Sequence, residues 1–415
     1  MSLSTPAARA CGGCFHEPPS TTAVERPSVV TDHRMVLALS ATETTLWDQI
    51  RWAGNPDDFV WALPLTNVLR ARIAIADDDF LNGLDRATAP AIKAEFPSRC
   101  VRDPVTGANV TSGPVTREEV QLAVRPIVRS ADPDAPVDGG PSVIPEATVG
   151  PYQTVLLDGR SRGQHLDEWL PANGYAIPEG GRAAVAHYTA LNAGWVVLRL
   201  RPGEGVSRMS PVRIALDGYQ PTLPLRMIAS GAGDSVGIAL LVASNGAMRE
   251  TGLPESRIDA SALTWAAGAP MSNYGNLFQQ SLGLISRPSW VTESVVRWSP
   301  STAPSSDARA VLNAGGVITR LRTIATPAAL DRDLRLEPSE TAPFGPTFIA
   351  RALSSTTCPI INGGSDGGVD AGPPIIDLPP MTGCQCATST PRSGGGLAAF
   401  ALGLAAVLAR RLRRR

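Results

Sequence analysis

The sequence has little lysine, few aromatic residues and almost no net charge. Lys93 is the single lysine, so arginine carries nearly all of the positive charge. Aromatic residues make up 5% of the chain, and the formal net charge at pH 7 is −1. A chain without a strong positive field is not expected to bind nucleic acid through its overall charge.

Motifs that indicate a particular chemistry are also scarce. No H-E-x-x-H, G-x-x-x-x-G-K or G-x-G-x-x-G pattern occurs, and no nucleophile elbow is predicted. The four histidines, His16, His33, His165 and His187, are widely separated. We expect His165 to lie on a solvated helix face and His187 on a half-buried one. The sequence therefore predicts no catalytic residue, cofactor or metal, and it leans against an enzyme.

Glycine and proline are abundant instead, with 39 and 37 residues in a chain of 415. Turn residues at this frequency predict many short strands joined by loops. Strand-like segments include RMVLALS (34–40), TTLWDQIRW (44–52), WVVLRLR (195–201) and VGIALLVAS (236–244). Because strand follows strand without intervening helices, we predict an α+β fold of mostly antiparallel sheet with a few helices packed on one face.

Smaller features of the body give further expectations. Asp77 to Asp79 offer N-cap oxygens to a helix with apolar residues along one side. LRMIAS (225–230) has the composition of a strand, and Asn245-Gly246 predicts a hairpin turn. Three tryptophans in adjacent predicted strands are expected in the core rather than on a sugar-binding face: Trp47, Trp52 and Trp61.

Residues 131–146 (ADPDAPVDGGPSVIPE) separate two halves of the body. Their prolines and lack of periodicity predict a linker between an N-terminal half, 11–130, and a C-terminal half, 147–357. A calcium loop at Asp132, Asp134 and Asp138 is the alternative, but the glycine and glutamate of such a loop are out of register. After the body, Gly, Asp and Pro dominate residues 358–382, which are expected to form a flexible stalk.

Four cysteines of the body are candidates for disulfides, and the sequence does not choose among their three pairings: Cys11, Cys14, Cys100 and Cys358. Structural disulfides in an oxidising compartment are the favoured interpretation. Unpaired or lipid-modified cysteines are a second interpretation. A metal or redox site at Cys11-Gly-Gly-Cys14 is a third, although a lone C-x-x-C without a second pair of ligands is a weak signal for zinc.

The last segment, 383–415, reads GCQCATSTPRSGGGLAAFALGLAAVLARRLRRR. From Gly394 its apolar stretch is about 16 residues, roughly 24 Å as a helix, whereas a bilayer core is roughly 30 Å thick. Such a short span indicates a signal that is recognised and cut, and the arginines after it place that end on the cytoplasmic side. The predicted sorting and anchoring residues are Cys384, Cys386, Arg410, Arg411, Arg413, Arg414 and Arg415.

This order of cysteine, short Gly/Ala/Leu helix and arginine-rich terminus resembles the MYXO-CTERM sorting signal of myxobacterial surface proteins. The resemblance implies cutting near the cysteines by a dedicated membrane protease and attachment at the outer surface. The alternative is an amphipathic terminal helix packed on the body, but Leu397 to Ala409 shows no polar face. At the other end, Ala8-Arg9-Ala10 before Cys11 matches a signal-peptidase site, so residues 1–10 are interpreted as the remnant of a truncated signal peptide. The alternative is a chance match, because these ten residues lack the apolar run of a signal peptide.

The body carries a second resemblance. Its CGG start and the segments LWDQIRWAGNPDDFVWALPL, VGPYQTVLL, WLPANGYAIPEG and ITRLRTIATPAALDRDL are similar to the DUF2330 family over roughly residues 11–350. The resemblance implies envelope placement and a shared α+β body, but no catalytic residue. We therefore expect an exported protein anchored at the cell surface, with a binding or structural domain and a membrane contact through its tail. The alternative is an extracytoplasmic, hydrolase-like enzyme whose site residues are dispersed.

Overall fold

A computed structural model describes most of the body of the chain. The described residues are 14–15, 29–53, 60–65, 67–96, 99–102, 109–112, 114–123, 146–160, 165–177, 179–201, 209–229, 232–251, 255–283, 289–300 and 304–353. The chain divides into two units, Met1–Cys358 and Pro359–Arg415, and every described residue belongs to the first. The predicted signal remnant, stalk and tail lie outside the described residues, as does the predicted linker apart from Glu146.

Two large sheets form the body. Sheet I has the strand order β1 (Cys14–Phe15), β4 (Val60–Leu65), β12 (Gly194–Leu200), β11 (Tyr152–Leu157) and β10 (Glu146–Val149). Sheet II has the order β18 (Val291–Arg297), β19 (Val317–Ala325), β15 (Ala232–Ser244), β2 (Val29–Leu39), β3 (Glu43–Ala53), β13 (Val212–Asp217) and β5 (Arg72–Ile75). Neighbouring strands are antiparallel in both sheets, except β15 and β2, which are parallel.

Smaller sheets and helices complete the fold. The small sheets are β14 (Thr222–Leu223), β20 (Leu334–Pro338) and β16 (Met248–Glu250); β21 (Thr347–Ile349), β6 (Ala91–Phe96) and β9 (Val115–Val120); β17 (Thr264–Ala266) and β22 (Arg351–Leu353); and β7 (Arg99–Arg102) and β8 (Asn109–Ser112). The α-helices are α1 (Asp78–Thr88), α2 (Leu166–Ala172), α3 (Glu179–Ala190), α4 (Leu225–Ala229), α5 (Tyr274–Leu282) and α6 (Ser306–Asn313). Short 3-10 turns occur at Val68–Arg70, Ala260–Ala262 and Pro327–Ala329.

The two large sheets pack face to face, because alternate side chains of each strand point to one shared core. Leu37 of β2 and Leu46 of β3 belong to the same buried cluster as Leu198 of β12. The outer face of sheet I is covered by α2 and α3, and the outer face of sheet II by α1 and α6. The layers are therefore helices, sheet, sheet and helices, which confirms the predicted α+β class with mostly antiparallel strands.

Helix α1 begins at the N-cap that the sequence predicts. The Asp77 side chain accepts a hydrogen bond of 2.9 Å from the backbone N–H of Asp79, which is the N-cap contact expected from the sequence. The apolar side of the helix is buried as predicted, with Leu81 at 1% exposure and Leu84 at 0%. An N-cap with one apolar face is thus sufficient to predict both the position and the orientation of this helix.

The expectation for the tryptophans is confirmed where their side chains are described. Trp47 is fully buried and Trp61 is 4% exposed. Trp61 belongs to the core between the sheets, whereas Trp47 packs beneath α1 and contacts the ring of Phe80 at 5.5 Å between centroids. Neither indole is available to stack on a sugar. The side chain of Trp52 lies outside the described part of the chain.

Two local predictions are wrong. Residues 225–229 form α4 rather than a strand, because a segment of Leu, Arg, Met and Ala after Pro224 favours a helix start. Asn245-Gly246 does not make a hairpin, since β15 pairs with β2 and β19 while β16 pairs with β20. Instead, a two-residue hairpin connection lies at Gly150-Pro151 between β10 and β11, where Gly150 has the positive φ of +56°.

A network of buried charges joins sheet II to α1. Arg34 of β2 and Arg320 of β19 are 1% and 0% exposed, and Asp85 of α1 is 1% exposed. Asp85 accepts from Arg320 at 2.7 Å and from Arg34 at 3.2 Å. The backbone N–H of Ala123 adds hydrogen bonds of 3.2 Å to the same carboxylate. One carboxylate therefore holds two strands, a helix and the segment after β9.

The same network extends to α5 through Glu293 of β18, which is fully buried. Glu293 accepts from Arg320 Nε at 2.8 Å and from the Tyr274 hydroxyl at 2.7 Å. Burial opposes the charge of Arg320, but Glu293 and Asp85 together raise its pKa. Burial and the neighbouring Glu293 raise the pKa of Tyr274, so its phenol stays protonated and acts as a donor.

Asp85→Ala is expected to destabilise the fold strongly, because it leaves two buried arginines without their shared carboxylate. Breaking a buried ion pair costs about 3–5 kcal/mol. Urea unfolding followed by circular dichroism measures the change in the free energy of unfolding.

The matched control is Glu337→Gln, which removes a partly exposed carboxylate that lies 2.6 Å from Arg249. A surface pair of this kind contributes less than about 1 kcal/mol. If Asp85→Ala were no more destabilised than Glu337→Gln, the network would not hold α1 on sheet II.

Candidate functional site

A cleft of about 510 Å³ is lined by strands β16 and β20 of one small sheet and by the two helices α3 and α4. His187 and the neighbouring Leu191 come from α3 and its C-terminal end, and Leu225 and Arg226 come from α4. The turn before β20 provides a further wall. This feature is termed the α3–α4 cleft, and its volume falls in the range of small-molecule sites, about 300–1,000 Å³.

Asp333 stands at the edge of the α3–α4 cleft, immediately before β20. The hydroxyl of Tyr188 in α3 donates a short hydrogen bond to its carboxylate, and the backbone N–H of Arg226 lies 3.5 Å from the same oxygen. Burial, and then the bond to Asp333, raise the pKa of Tyr188, so that the phenol remains a donor. These contacts fix α3 and α4 against the start of β20.

Two guanidinium groups of the cleft have no partner. Within the described part of the chain, the side chains of Arg226 and Arg335 make no hydrogen bond or ion pair. Arg335 follows Asp333 by two residues in extended chain, which places both side chains on the same side. The carbonyl of Arg335 accepts a bond of 2.8 Å from Thr251 N–H, so its backbone is held by β16 and its side chain is left to the cleft.

The cleft also has apolar surface. Leu191 at its rim is 63% exposed, which is unusual for a leucine at the end of a helix that packs on a sheet. Trp290 and Leu334 also line the cleft, but they are only 5% and 1% exposed, so they do not project into it. A molecule in this cleft would therefore meet both guanidinium groups and apolar side chains.

The lining residues offer binding more readily than catalysis. His187 is half-buried as predicted, and its recorded contact is with the ring of Tyr188, at 5.1 Å between centroids. Among the described residues of the cleft, no serine, threonine or cysteine is hydrogen-bonded to a base. A nucleophile with an adjacent base is the arrangement that covalent catalysis requires.

A buried histidine–aspartate pair lies between the large sheets. His33 Nδ1 of β2 is 3.1 Å from Asp48 Oδ1 of β3, and the two residues are 1% and 6% exposed. His33 Nε2 has no hydrogen-bond partner. A cavity of about 20 Å³ adjoins the pair, enough for one water. Leu225 lines both this cavity and the α3–α4 cleft.

The sequence reasoning did not find this pair, although a signal was present. His33 precedes Met35 and Leu37 at two-residue spacing, so a strand in this register turns all three side chains to the core. Asp48 follows Leu46 in the same way on β3. Two polar residues in consecutive core-facing stripes predict mutual pairing, because isolated buried charges are costly.

A second hollow, of about 540 Å³, lies beside Glu255 and Arg257 and is more open to solvent. Its polar groups bind one another. Glu255 accepts from Thr341 at 2.5 Å, and Arg257 donates to the same hydroxyl group. Burial opposes ionisation of Glu255, but hydrogen bonds from Thr341 and Thr292 lower its pKa. Because these groups satisfy one another, this hollow is a weaker candidate than the cleft.

One segment, Gly233 to Gly237, has the G-x-S-x-G spacing of a nucleophile elbow and was also missed. The structure places Ser235 inside β15 and exposed to solvent, at the register shift between Ala232 and Gly237. An elbow requires a sharp turn from strand to helix, whereas β15 continues to Ser244. The spacing is therefore a chance match. A second match, at 363–367, lies outside the described residues.

The predicted site residues lie mostly outside the described part of the chain. Cys14 and Cys100 have their backbone in β1 and β7, which belong to different sheets. The disulfides and the sorting tail stay predictions. The prediction of a solvated helix face for His165 is wrong, because this residue immediately precedes α2 and is half-buried. Its buried Nδ1 has no hydrogen-bond partner among the described residues. The residues outside the description are Cys11, His16, Cys358, Cys384, Cys386, Arg410, Arg411, Arg413, Arg414 and Arg415.

The described residues contain no group of three or more histidine, cysteine, aspartate or glutamate side chains placed to hold a metal ion. None of their helices has both the length and the apolar character needed to cross a membrane. The apolar run Leu397–Ala409 lies beyond them.

The fold and the cleft define an α+β domain with a partly charged pocket. Comparison with protein families matches residues 5–305 to a family of uncharacterized proteins conserved in bacteria, DUF2330. The chain belongs to this family. The match ends before the ITRLRTIATPAALDRDL segment, so the resemblance expected to residue 350 extends further than the family match. No curated protein and no solved structure matches the chain.

Proposed function

We propose that this protein is exported, anchored at the cell surface, and binds a small molecule in the α3–α4 cleft. The observation that carries the binding function is a pair of guanidinium groups, Arg226 and Arg335, that make no hydrogen bond or ion pair with the described residues and line a cleft of about 510 Å³. Arginines with no protein partner in a concave, partly apolar site are free to orient a ligand.

The structure of the cleft favours a fixed binding site. Its helices α3 and α4 are tied to β20 through Asp333, and β20 is in turn paired with β14 and β16. A site with a preformed frame loses less conformational entropy when its ligand binds. The cleft therefore needs no large rearrangement to accept a small molecule.

Export and anchoring are supported by the sequence of the C-terminal segment, 383–415. The short apolar run Leu397–Ala409 and the following arginines have the order of a sorting signal, with Cys384 and Cys386 just ahead of it. We propose that a membrane protease cuts near these cysteines and leaves the body at the outer surface. Before cutting, the arginines would stay on the cytoplasmic side.

A second candidate function is an extracytoplasmic, hydrolase-like enzyme. The buried His33–Asp48 pair favours it, because an imidazole oriented by a carboxylate with its other nitrogen unpartnered can act as a base. The small size of the adjoining cavity, about 20 Å³, argues against it, since a substrate could reach His33 only if α4 moved away. Binding in the cleft requires no such movement.

Intact-mass analysis of protein from its native membrane tests the proposed anchoring. The mature chain is expected to have lost the residues after Cys384 or Cys386, with an added mass if the cysteine carries lipid. A double variant, Cys384→Ser with Cys386→Ser, is expected to keep the arginine-rich end, whereas the control Cys358→Ser is processed normally. A wild-type chain that still ended at Arg415 in its native membrane would rule out this sorting.

The binding function is tested by filling the cleft. Thr251 is exposed and lines the cleft, so Thr251→Trp is expected to occlude it without disturbing the core. The probes are aromatic fragments that are anionic, cationic or neutral, and their binding is measured by ligand-detected NMR. Some fragments are expected to bind the wild-type chain and not the Thr251→Trp variant. Thr116→Trp, an exposed threonine on β9, is the matched control and is expected to retain them. Fragments that bound all three proteins equally would place the binding site elsewhere.

A further inference from the structure

We propose that the α3–α4 cleft selects a small organic anion, with Arg226 and Arg335 contacting its carboxylate or phosphate group. This inference rests on the proposed binding function and adds the chemical class of the ligand. Guanidinium groups bind both kinds of oxyanion through paired N–H donors, so the shared chemistry is a compact, negatively charged group.

The charges around the cleft support an anion. The ionised side chains that line it are Arg226, Arg332, Arg335, Glu250 and Asp333. Three positive charges against two negative charges leave an excess of one positive charge. Arg332 forms an exposed ion pair with its neighbour Asp331 at 3.3 Å. Its charge is therefore less available to a ligand than the charges of Arg226 and Arg335. Because Asp331 balances Arg332, the support for an anion comes from Arg226 and Arg335, which make no ion pair with the described residues, rather than from a net charge of the cleft.

Asp333 lies beside the backbone of Arg226 and two residues before Arg335, and all three residues line the cleft. The backbone N–H of Arg226 points to the Asp333 carboxylate, and Arg335 leaves the chain on the same side as Asp333 two residues later. Asp333 already accepts the Tyr188 hydroxyl, so its oxygens are partly occupied by the protein. A cationic ligand would have to compete for that carboxylate and would face two guanidinium groups, which opposes its binding.

The apolar wall defines the other half of the ligand. Leu191 is 63% exposed at the rim, and Trp290 and Leu225 lie along the cleft. Of these three residues Leu191 has most of its surface exposed. Inorganic phosphate would leave Leu191 uncovered, whereas an anion with an apolar ring or chain would cover it and gain the free energy of burial. The predicted class is therefore an amphipathic anion rather than a free inorganic one.

The test compares three probes of similar size on the full chain: benzoate, its neutral isostere benzamide, and phenyl phosphate. Ligand-detected NMR titration measures each dissociation constant. We expect benzoate or phenyl phosphate to bind at least about tenfold more tightly than benzamide, the loss expected when a charged hydrogen bond is removed. A preference for phenyl phosphate indicates a phosphate ligand and a preference for benzoate a carboxylate, and either supports the proposal.

Variants locate the charge that selects the probe. Arg226→Gln and Arg335→Gln are each expected to weaken the anionic probes by about tenfold to a hundredfold and to leave benzamide unchanged. Arg335→Lys keeps the charge but loses the paired donors, so an intermediate effect is expected. Arg86→Gln, an exposed arginine on α1, is the matched control and is expected to bind as the wild type does. Circular dichroism of each variant confirms the fold.

The outcomes separate this inference from the binding function on which it rests. If benzoate and benzamide bound equally well, and Thr251→Trp abolished the binding of both, the selectivity for an anion would be overturned. The cleft would still be a binding site. If Arg86→Gln weakened anion binding as much as Arg335→Gln does, the inference would also be overturned. General surface charge, rather than the cleft, would then cause the affinity for anions. If none of the three probes bound the wild-type chain, both the inference and the cleft as a binding site would be overturned.

Discussion

Asp85 is the residue on which the assembly of sheet II depends. Its carboxylate is 1% exposed and lies between two buried arginines from strands that are far apart in the sequence. A buried charge without a partner is far more costly than the same charge in water, so Arg34 and Arg320 can be buried only when α1 is in place. Glu293 imposes the same condition on β18 and α5. Helices and strands must therefore come together in one arrangement.

This constraint reaches the α3–α4 cleft through β19. Arg320 anchors β19 in the sheet, and the chain then passes through the Pro327–Ala329 turn to Asp333 and β20. Asp333 and Arg335 of the cleft thus follow, along the chain, a strand that is fixed by buried ion pairs. On the other side, α3 packs on sheet I through Val185 and Tyr188. The α3–α4 cleft thus has a fixed frame, and its Arg226 and Arg335 side chains make no ion pair with the described residues.

Much of the fold could be predicted from the sequence, because its cause is local. The cap at Asp77, the apolar side of α1 and the alternation of β2 and β3 each depend on a few neighbouring residues. The α4 helix and the Gly150-Pro151 hairpin were missed although their signals are local too. The prediction followed apolar content at residues 225–230, where helix preference after Pro224 decides the structure instead. It also followed the Asn-Gly pair at 245–246, which gave way to strand pairing in the sheets.

The candidate site was harder to predict because its residues meet only in the folded chain. Tyr188 and Asp333 are 145 positions apart, and Asp85 and Arg320 are 235 positions apart. Each looks like an ordinary polar residue of a helix, turn or strand. The unpartnered state of Arg226 and Arg335 cannot be read from a sequence at all, since it depends on what surrounds them. Only the stripe of His33 and Asp48 offered a local signal for a buried polar pair.

The central claim is that the frame built on these buried charges presents two free guanidinium groups to an organic anion. A crystal structure of the full chain with phenyl phosphate tests it most directly. We expect the phosphate between the Arg226 and Arg335 side chains, with oxygen–nitrogen distances of about 2.7–2.9 Å, and the ring toward Leu191. A phenyl phosphate bound outside the α3–α4 cleft, or bound within it away from both guanidinium groups, would contradict the account.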